Sequence, residues 1–318
     1  MTPKTVAIIG AGRVGSSVGF LLKRAGYAVT AVAARTAATA EKAAAFIGGG
    51  EPLADVIQAA SKADIVFITT PDRNIREVCD TIATNSGLKS GSLVVHMSGA
   101  HSLELLSTVR TKGSSRAVIH PLQSLASREQ GVQTLPGSYF RVEADPEALE
   151  RTRLVIAAVG GIELAMPDWK SDADSVALYH AGAVAVSNYF VALVDYGLKF
   201  YQALGANKQD ALKAVLPLIR GTLHNIETLG IPDALTGPIV RGDIETVRNH
   251  LDAIRERAPE LLDLYRELAK HTITVAKDRR SLKQETIFEL SQVIDRADRQ
   301  TAHLKVQRKK KPSVKENR

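Results

Sequence analysis

The sequence predicts an α/β domain with a mostly parallel, doubly wound sheet, followed by an all-α domain. Short β-rich runs alternate with helix-period segments through the first half, which is the pattern of crossover units covering a sheet on both faces. From Asp172 to Lys277 helical periodicity continues without a convincing strand. The length of 318 residues suits about two such domains. The expected division is 1–168 for the α/β domain, 169–298 for the helical domain and 299–318 for a basic disordered tail.

In chain order, strands are predicted over residues 5–9, 28–34, 63–69, 92–96, 117–119 and 139–142. Helical spacing falls between them over 13–24, 41–47, 75–84, 103–109 and 147–159. The second half divides into helices over 175–204, 208–229, 244–255 and 259–276, punctuated by Gly205, Gly230 and Gly242, with one more helix over 281–298. The run Val176–Leu204 is apolar enough to resemble a membrane span, but His180, Asn188, Asp195 and Lys199 interrupt it. Those groups are costly in lipid, so the run reads as the buried helix of a soluble protein and no membrane partner is expected.

The net charge of +7 is misleading. Residues 299–318 hold eight Lys/Arg and one Glu, so the rest of the chain is neutral. A neutral body without an aromatic-interleaved basic motif argues against a nucleic-acid partner. The single cysteine, Cys79, permits no intramolecular disulfide and no zinc cluster, which points to a reducing cytoplasm. Residues 5–10 are too short for the apolar core of a secretory signal, and none is expected.

The chemistry begins at the first strand. Val6–Ile9 runs into Gly10, Ala11, Gly12, Arg13, Val14 and Gly15, a strand–GxGxxG–helix sequence. The first glycine makes the tight turn, the second lets backbone approach a pyrophosphate, and the third admits close helix–strand packing. The helix N-terminus supplies N–H donors and a positive dipole to the phosphates. At the end of the second strand a dinucleotide site for NAD would place Asp or Glu on the ribose hydroxyls. Here Arg35 and Thr36 follow Val32–Ala34, which suits a 2′-phosphate, and Arg13 could join them. The expected cofactor is NADP(H).

Two further loops end predicted parallel strands, where ligands of such sheets bind. Thr70, Pro71 and Asp72 could follow the cofactor's central linkage, and Ser98 could bond a nicotinamide amide or a substrate. Asp72 and Ser102 could equally be helix N-caps. Three clusters then hold more polar and turn chemistry than packing requires: His120–Ser124, Tyr179–His180 with Ser187–Asn188, and Leu235–Asp243. Positions 180, 184 and 188 share one helix face on which only Val184 is apolar. A histidine and an amide on such a face suit a proton donor and a carbonyl-orienting group, or a satisfied core pair.

The glycine loop, Thr-Pro-Asp, Ser-Gly-Ala, His-Pro-Leu-Gln-Ser, the Tyr-His…Ser-Asn helix and Leu-Thr-Gly-Pro…Arg-Gly-Asp together resemble a bacterial family of Rossmann-like proteins assigned provisionally as NADP oxidoreductases, with a C-terminal helical domain of unknown function. The resemblance covers residues 4–275. It extends to the wider group containing ketopantoate reductase, pyrroline-5-carboxylate reductase and 6-phosphogluconate dehydrogenase. It implies a Rossmann N-terminal domain, a helical second domain with a cleft between them, and a homodimer. Ketopantoate reductases and β-hydroxyacid dehydrogenases carry a lysine on the long helix, with asparagine one or two turns on. Here His180 takes the lysine-like place, Val184 replaces the first asparagine and Asn188 fits the second.

The resulting expectation is an NADPH-dependent reductase passing hydride to the C=O or C=N of a small carboxylic acid, in the manner of ketopantoate reductase. His180 would protonate the developing anion, with His120 as the rival acid, and Asn188 would orient the carbonyl. Arg241 would hold a substrate carboxylate, presented by the turn at Thr236, Gly237 and Pro238. A structural contact with Asp243 is the competing role for Arg241. The alternative function is an NADP(H)-binding regulatory or scaffold protein without turnover, which the missing lysine favours.

Overall fold

The computed structural model of the chain describes residues 4–279 and 282–309. The described residues form two compact units that divide after Tyr189. The first begins with β1 (Thr5–Ile9), α1 (Arg13–Arg24), β2 (Ala28–Ala33), α2 (Ala37–Ile47), β3 (Glu51–Leu53), α3 (Val56–Ser61), β4 (Ile65–Ile68) and α4 (Asp72–Thr84). It continues with β5 (Leu93–His96), α5 (Ser107–Arg110), β6 (Ser115–Pro121), α6 (Arg128–Thr134), β7 (Tyr139–Ala144), α7 (Leu149–Ala158), β8 (Ile162–Glu163) and α8 (Ala173–Val186).

Among the described residues the eight strands form one sheet in the order β3-β2-β1-β4-β5-β6-β7-β8. The first six strands are parallel, in the doubly wound order of two mononucleotide-binding halves. β7 turns back antiparallel to β6, which pairs His120 with Arg141. The central strands read as continuous apolar runs because helices cover both faces. Ile8, Phe67, Val95 and Ile119 face α1 and α7, while Ile9, Ile68 and Val94 face Ile75, Cys79 and Ile82 of α4. Burial pushes the Cys79 thiol up to about 12, so it packs as a small apolar group.

β3, α3, α6 and β8 were not expected from the sequence. The two strands have three residues and two, too few to show an alternating pattern. α3 is capped by Asp55, and α6 by Ser127, whose hydroxyl accepts from the Gln130 N–H. The Gln130 side chain accepts from the Ala126 N–H in return. This resembles a capping box with the return bond shifted to the residue before the cap, and Ser-x-x-Gln was its signal.

The second unit holds most of α9 (Asn188–Ala203), then α10 (Lys208–Leu229), α11 (Pro238–Arg241), α12 (Ile244–Arg257), α13 (Leu262–Asp278) and α14 (Gln284–Lys309). Tyr196 of α9, Leu251 and Ile254 of α12, Leu262 and Ile273 of α13, and Leu290 and Ile294 of α14 form its core. The Tyr196 hydroxyl donates to the Leu261 carbonyl at 2.6 Å, so the buried phenol is satisfied.

Two expectations are corrected. The long apolar helix is not buried: Leu178 is 77% exposed and Val186 79%, and within Ala173–Ala203 only Val176, Tyr196 and Leu198 are buried. A helix apolar on all sides needs cover on all sides, and this chain supplies one stripe. The run is long and apolar enough to cross a membrane by length and composition alone. It is also interrupted at Ser187, so it forms two helices and not one. The basic segment from Arg299 continues α14 as helix through Lys309 and is not a disordered tail over that stretch. Leu, Lys, Gln, Arg and Ala are good helix formers, and no Gly or Pro interrupts them. Residues 310–318 lie outside the described residues.

Candidate active site

The three glycines of the first loop do different work. Gly10 has φ +101°, and a β-carbon there would stand 2.5 Å from the Thr69 carbonyl carbon and the Thr70 nitrogen. Gly15 lies under the loop, where a β-carbon would meet Thr69 Oγ1 at 2.3 Å and the Gly10 carbonyl at 2.5 Å. Gly12 is the reverse case, with open space within 4 Å of the β-carbon position. It stands at the N-terminus of α1, where no side chain caps the first turn. The free N–H groups of a twelve-residue helix beside open backbone fit a pyrophosphate. Thr69 ties the loop down by donating its hydroxyl to the Gly10 carbonyl at 2.8 Å. The adjacent Thr70 hydroxyl is buried without a partner among the described residues, a polar group suited to a ligand passing the β4 end.

Arg35 and Thr36 follow β2, both exposed. Thr36 caps α2, its hydroxyl accepting from the Thr39 N–H at 3.3 Å. Arg35 therefore stands beside the positive end of an eleven-residue helix, a place that attracts an anion. Arg13 is also exposed and donates to the Leu125 carbonyl at 3.3 Å, which aims it along the loop after β6. Ala11 and Val14 pack against the core beneath the glycine loop. The residues present fit NADP(H).

The carboxyl ends of β4, β5 and β6 carry the second half of the site. Ser98 donates its hydroxyl to the Asp72 carboxylate at 2.8 Å and accepts from the Ala100 N–H. Pro71, exposed, precedes α4. His96, fully buried, accepts at Nδ1 from the Ser98 N–H and bonds the Ser102 carbonyl through Nε2 at 3.0 Å. Its proton therefore sits on Nε2, and burial, with Arg141 nearby, lowers its pKa to about 4.

Gly99 faces two histidines. A β-carbon on Gly99 would stand 2.6 Å from His120 Nε2 and 2.9 Å from His180 Nδ1. His120 Nδ1 lies 2.7 Å from the Tyr179 hydroxyl, and the His120 and His180 rings meet edge to face with centroids 6.3 Å apart. Burial first, then the charges of Arg141 and His180, lower the pKa of His120 to about 4. His180 Nδ1 is buried and has no hydrogen-bond partner among the described residues. The geometry brings together His180 and His120, the two residues expected from the sequence as rival proton donors.

Asn188 does not join them. The interruption at Ser187 ends α8, Asn188 opens α9 exposed to solvent, and no hydrogen bond links it to either histidine among the described residues. Arg241 lies in the second unit, exposed in the last turn of α11. Its side chain makes no hydrogen bond or ion pair among the described residues, and its charge only adds to what holds the Asp243 carboxyl low. Asp243 instead caps α12 through Thr246. Thr236 and Gly237 form the turn before α11, with Gly237 at φ +99°.

Arg141 was missed by sequence reasoning. It is fully buried in β7, opposite His120, and donates to the carbonyls of Ser98 at 3.2 Å and His101 at 2.6 Å. Its guanidinium lies 5.0 Å from the Trp169 ring centre and 5.2 Å from that of Tyr179. Its only sequence signal was a charged residue at an inward position of a strand, two residues before another, Glu143.

Residues 138–272 match a domain of unknown function, DUF2520, and residues 2–121 match a Rossmann-like domain. No curated protein matches the chain. Among solved structures it is similar to a protein from Bacteroides fragilis named provisionally as an NADP oxidoreductase, with 20% identity, 85% of this chain and 98% of that one covered, and a TM-score of 0.65. It is likewise similar to a protein from Thermotoga maritima, with 26% identity, 87% and 99% covered and a TM-score of 0.65. A reductive aminase from Aspergillus terreus in complex with NADPH and ethyl-5-oxohexanoate shares the fold at 14% identity, with 94% and 95% covered and a TM-score of 0.56. The order of matched segments agrees with the sheet and the helices that follow it, a Rossmann-like match followed by a DUF2520 match.

Proposed function

We propose that the protein is an NADPH-dependent oxidoreductase that reduces a C=O or C=N carbon of a small carboxylic acid. The observation that carries the reading is the sheet edge itself. A glycine loop with open backbone at Gly12 follows β1, and a cluster of His120, Tyr179 and His180 meets Gly99 after β5, so both stand at the carboxyl end of one sheet with only β4 between the two strands. The similarity to structures named as NADP oxidoreductase and reductive aminase supports it.

Gly10 to Gly15 and the α1 terminus would hold the pyrophosphate, with Arg35, Thr36 and Arg13 on the 2′-phosphate. Thr70, Pro71 and Asp72 would follow the linkage toward Ser98. The bound cofactor supplies the hydride. The chain's own task is to place the acceptor over Gly99 and supply a proton there. His120 and His180, which meet at Gly99, are the proposed proton donors. Ketopantoate is the first substrate to test. The working form is proposed to be a cytoplasmic homodimer, whose motive is the exposed apolar surface of α8, α9 and α10.

The experiment is NADPH oxidation by purified protein with ketopantoate, other 2-keto acids and cyclic imines, beside NADH. NADPH-specific turnover that collapses in His180→Ala supports the reading. Tight NADPH binding with no turnover on any of these compounds would instead select a cofactor-binding regulatory protein.

A further inference from the structure

His120 beside Gly99 is not an obvious acid. His120 is held neutral by burial and by the fixed charge of Arg141, so an imidazolium is not available at neutral pH. A neutral imidazole can still deliver a proton if another acid refills it from the far side of the ring. The structure places such an acid there. His120 Nε2 packs against Gly99, 2.6 Å from where a β-carbon would stand, and Nδ1 lies 2.7 Å from the Tyr179 hydroxyl.

We propose that His120 is a neutral proton relay between the Tyr179 hydroxyl and a substrate anion forming over Gly99, with Arg141 as the buried cation that stabilises the phenolate left behind. The inference rests on the reductase reading for its substrate, and its own content is the proton path. When hydride reduces the substrate carbon, the Nε2–H bond breaks and an O–H (or N–H) bond forms on the substrate. The Tyr179 O–H bond breaks and an Nδ1–H bond forms. His120 begins and ends neutral as the opposite tautomer, and Tyr179 ends as phenolate. Water then returns a proton to Tyr179, and His120 resets its tautomer.

Arg141 is built for the counter-charge. It is fully buried, and its guanidinium stands 5.2 Å from the Tyr179 ring centre. Two carbonyls, of Ser98 and His101, hold one of its terminal nitrogens. Its Nε and other terminal nitrogen have no hydrogen-bond partner among the described residues, so its charge is not consumed by an ion pair. Glu143, the nearest carboxylate on β7, accepts from the Ser171 hydroxyl. Burial raises the Tyr179 pKa to about 12, and Arg141 opposes that rise, leaving an acid that is weak in the resting state yet stronger than an alkoxide's conjugate alcohol. The charged and titratable groups facing His120 are Arg141 on β7, His180 on α8, Asp72 on α4 and His96 on β5.

The test is nitrogen NMR of the full chain labelled in histidine, with His120 assigned from His120→Asn. The expected result from pH 5.5 to 9 is a neutral His120 with the proton on Nε2 and a hydrogen-bonded Nδ1, and loss of that Nδ1 signature in Tyr179→Phe. A proton on Nδ1, or an imidazolium titrating above pH 6, overturns the relay. In turnover with NADPH and the substrate the panel identifies, Tyr179→Phe should lower kcat at least tenfold with KM little changed, and Arg141→Lys should retain more activity than Arg141→Met. Unchanged kcat in Tyr179→Phe also overturns it. The NMR measurement needs no substrate, so a wild-type chain that reduces nothing sinks the reductase reading while the relay is still judged.

Discussion

The Ser98 hydroxyl donates to the Asp72 carboxylate over 2.8 Å, joining the loop after β5 to the first turn of α4. From the sequence these two residues belonged to different tasks, cofactor for Asp72 and substrate for Ser98. The bond means that the two loops hold each other, and Ser98 also anchors the Ala100 N–H at 3.2 Å. Ser98→Ala should therefore lower stability by about 1–2 kcal/mol, toward the lower end because exposed Asp72 can turn to water. Urea unfolding measures it, and a loss below ~0.5 kcal/mol would show the bond does not constrain the loops.

Gly12 and Gly15 should separate binding from folding. Gly15→Ala forces a methyl onto Thr69 Oγ1 and the Gly10 carbonyl, so it should lower Tm and NADPH affinity together. Gly12 has an ordinary φ of −82° and open space, so Gly12→Ala should leave Tm nearly unchanged while weakening NADPH. Cofactor fluorescence titration beside calorimetry reads both. Equal affinity in Gly12→Ala and wild type would remove the pyrophosphate from this loop.

Arg35→Asp should invert cofactor preference. Losing one charge-assisted bond at an exposed site corresponds to roughly 1.5–3 kcal/mol, about 10- to 100-fold in NADPH affinity. NADH affinity should hold or improve, because an acid at this strand end can bond ribose hydroxyls. Parallel losses of both cofactors would place the 2′-phosphate elsewhere.

The fold was legible where a residue pattern has one physical meaning. Strand–GxGxxG–helix predicted a parallel sheet with a tight loop after its first strand, and the structure puts Gly10 in that turn and Gly15 beneath it, with Gly12 open. The pairing of His120 with His180 was legible as two polar clusters, but the distance between them was not. Arg141 was hidden because a single arginine in YFRVEA says nothing until β7 is known to pair antiparallel with β6 and set it opposite His120. The burial of the long helix was misjudged for a related reason: apolar composition reports a need for cover, and nothing in the sequence says which molecule supplies it.

Acid should destabilise the first unit in a defined window. His96 and His120 have folded pKa values near 4 against an ordinary 6.5, so between those values the unfolded chain binds more protons. Stability is then full above about pH 6.5 and declines toward pH 4, by ~3 kcal/mol for each histidine. Asp64, held low by Thr5, contributes a loss only as pH falls below the ordinary 3.8, outside this window. Urea midpoints at pH 7.5 and 5 test it, with His120→Asn expected to flatten the slope. A midpoint independent of pH would mean these histidines are not held neutral.

The exposed apolar surface of the helical unit should bind a second copy of the chain. Val191 on α9 is 70% exposed, and Leu218 and Leu229 on α10 are 67% and 58% exposed, more large apolar surface than isolated exposed side chains explain. Lipid is the poorer occupant, because the Asp195 carboxylate bonds Lys208 and lies 3.9 Å from Lys199 within this same surface. Burying a leucine contributes about 1.5–3 kcal/mol, and a glutamate in its place adds the cost of an unpaired buried charge. Leu218→Glu and Val191→Glu should therefore weaken self-association by more than about 100-fold. Neither residue belongs to the core of its unit, so helical circular dichroism should stay unchanged. Light scattering at micromolar concentration should find dimers of the wild type and monomers of both variants. A monomeric wild type that floats with liposomes would assign the surface to a membrane, and dimers persisting in both variants would move the interface elsewhere.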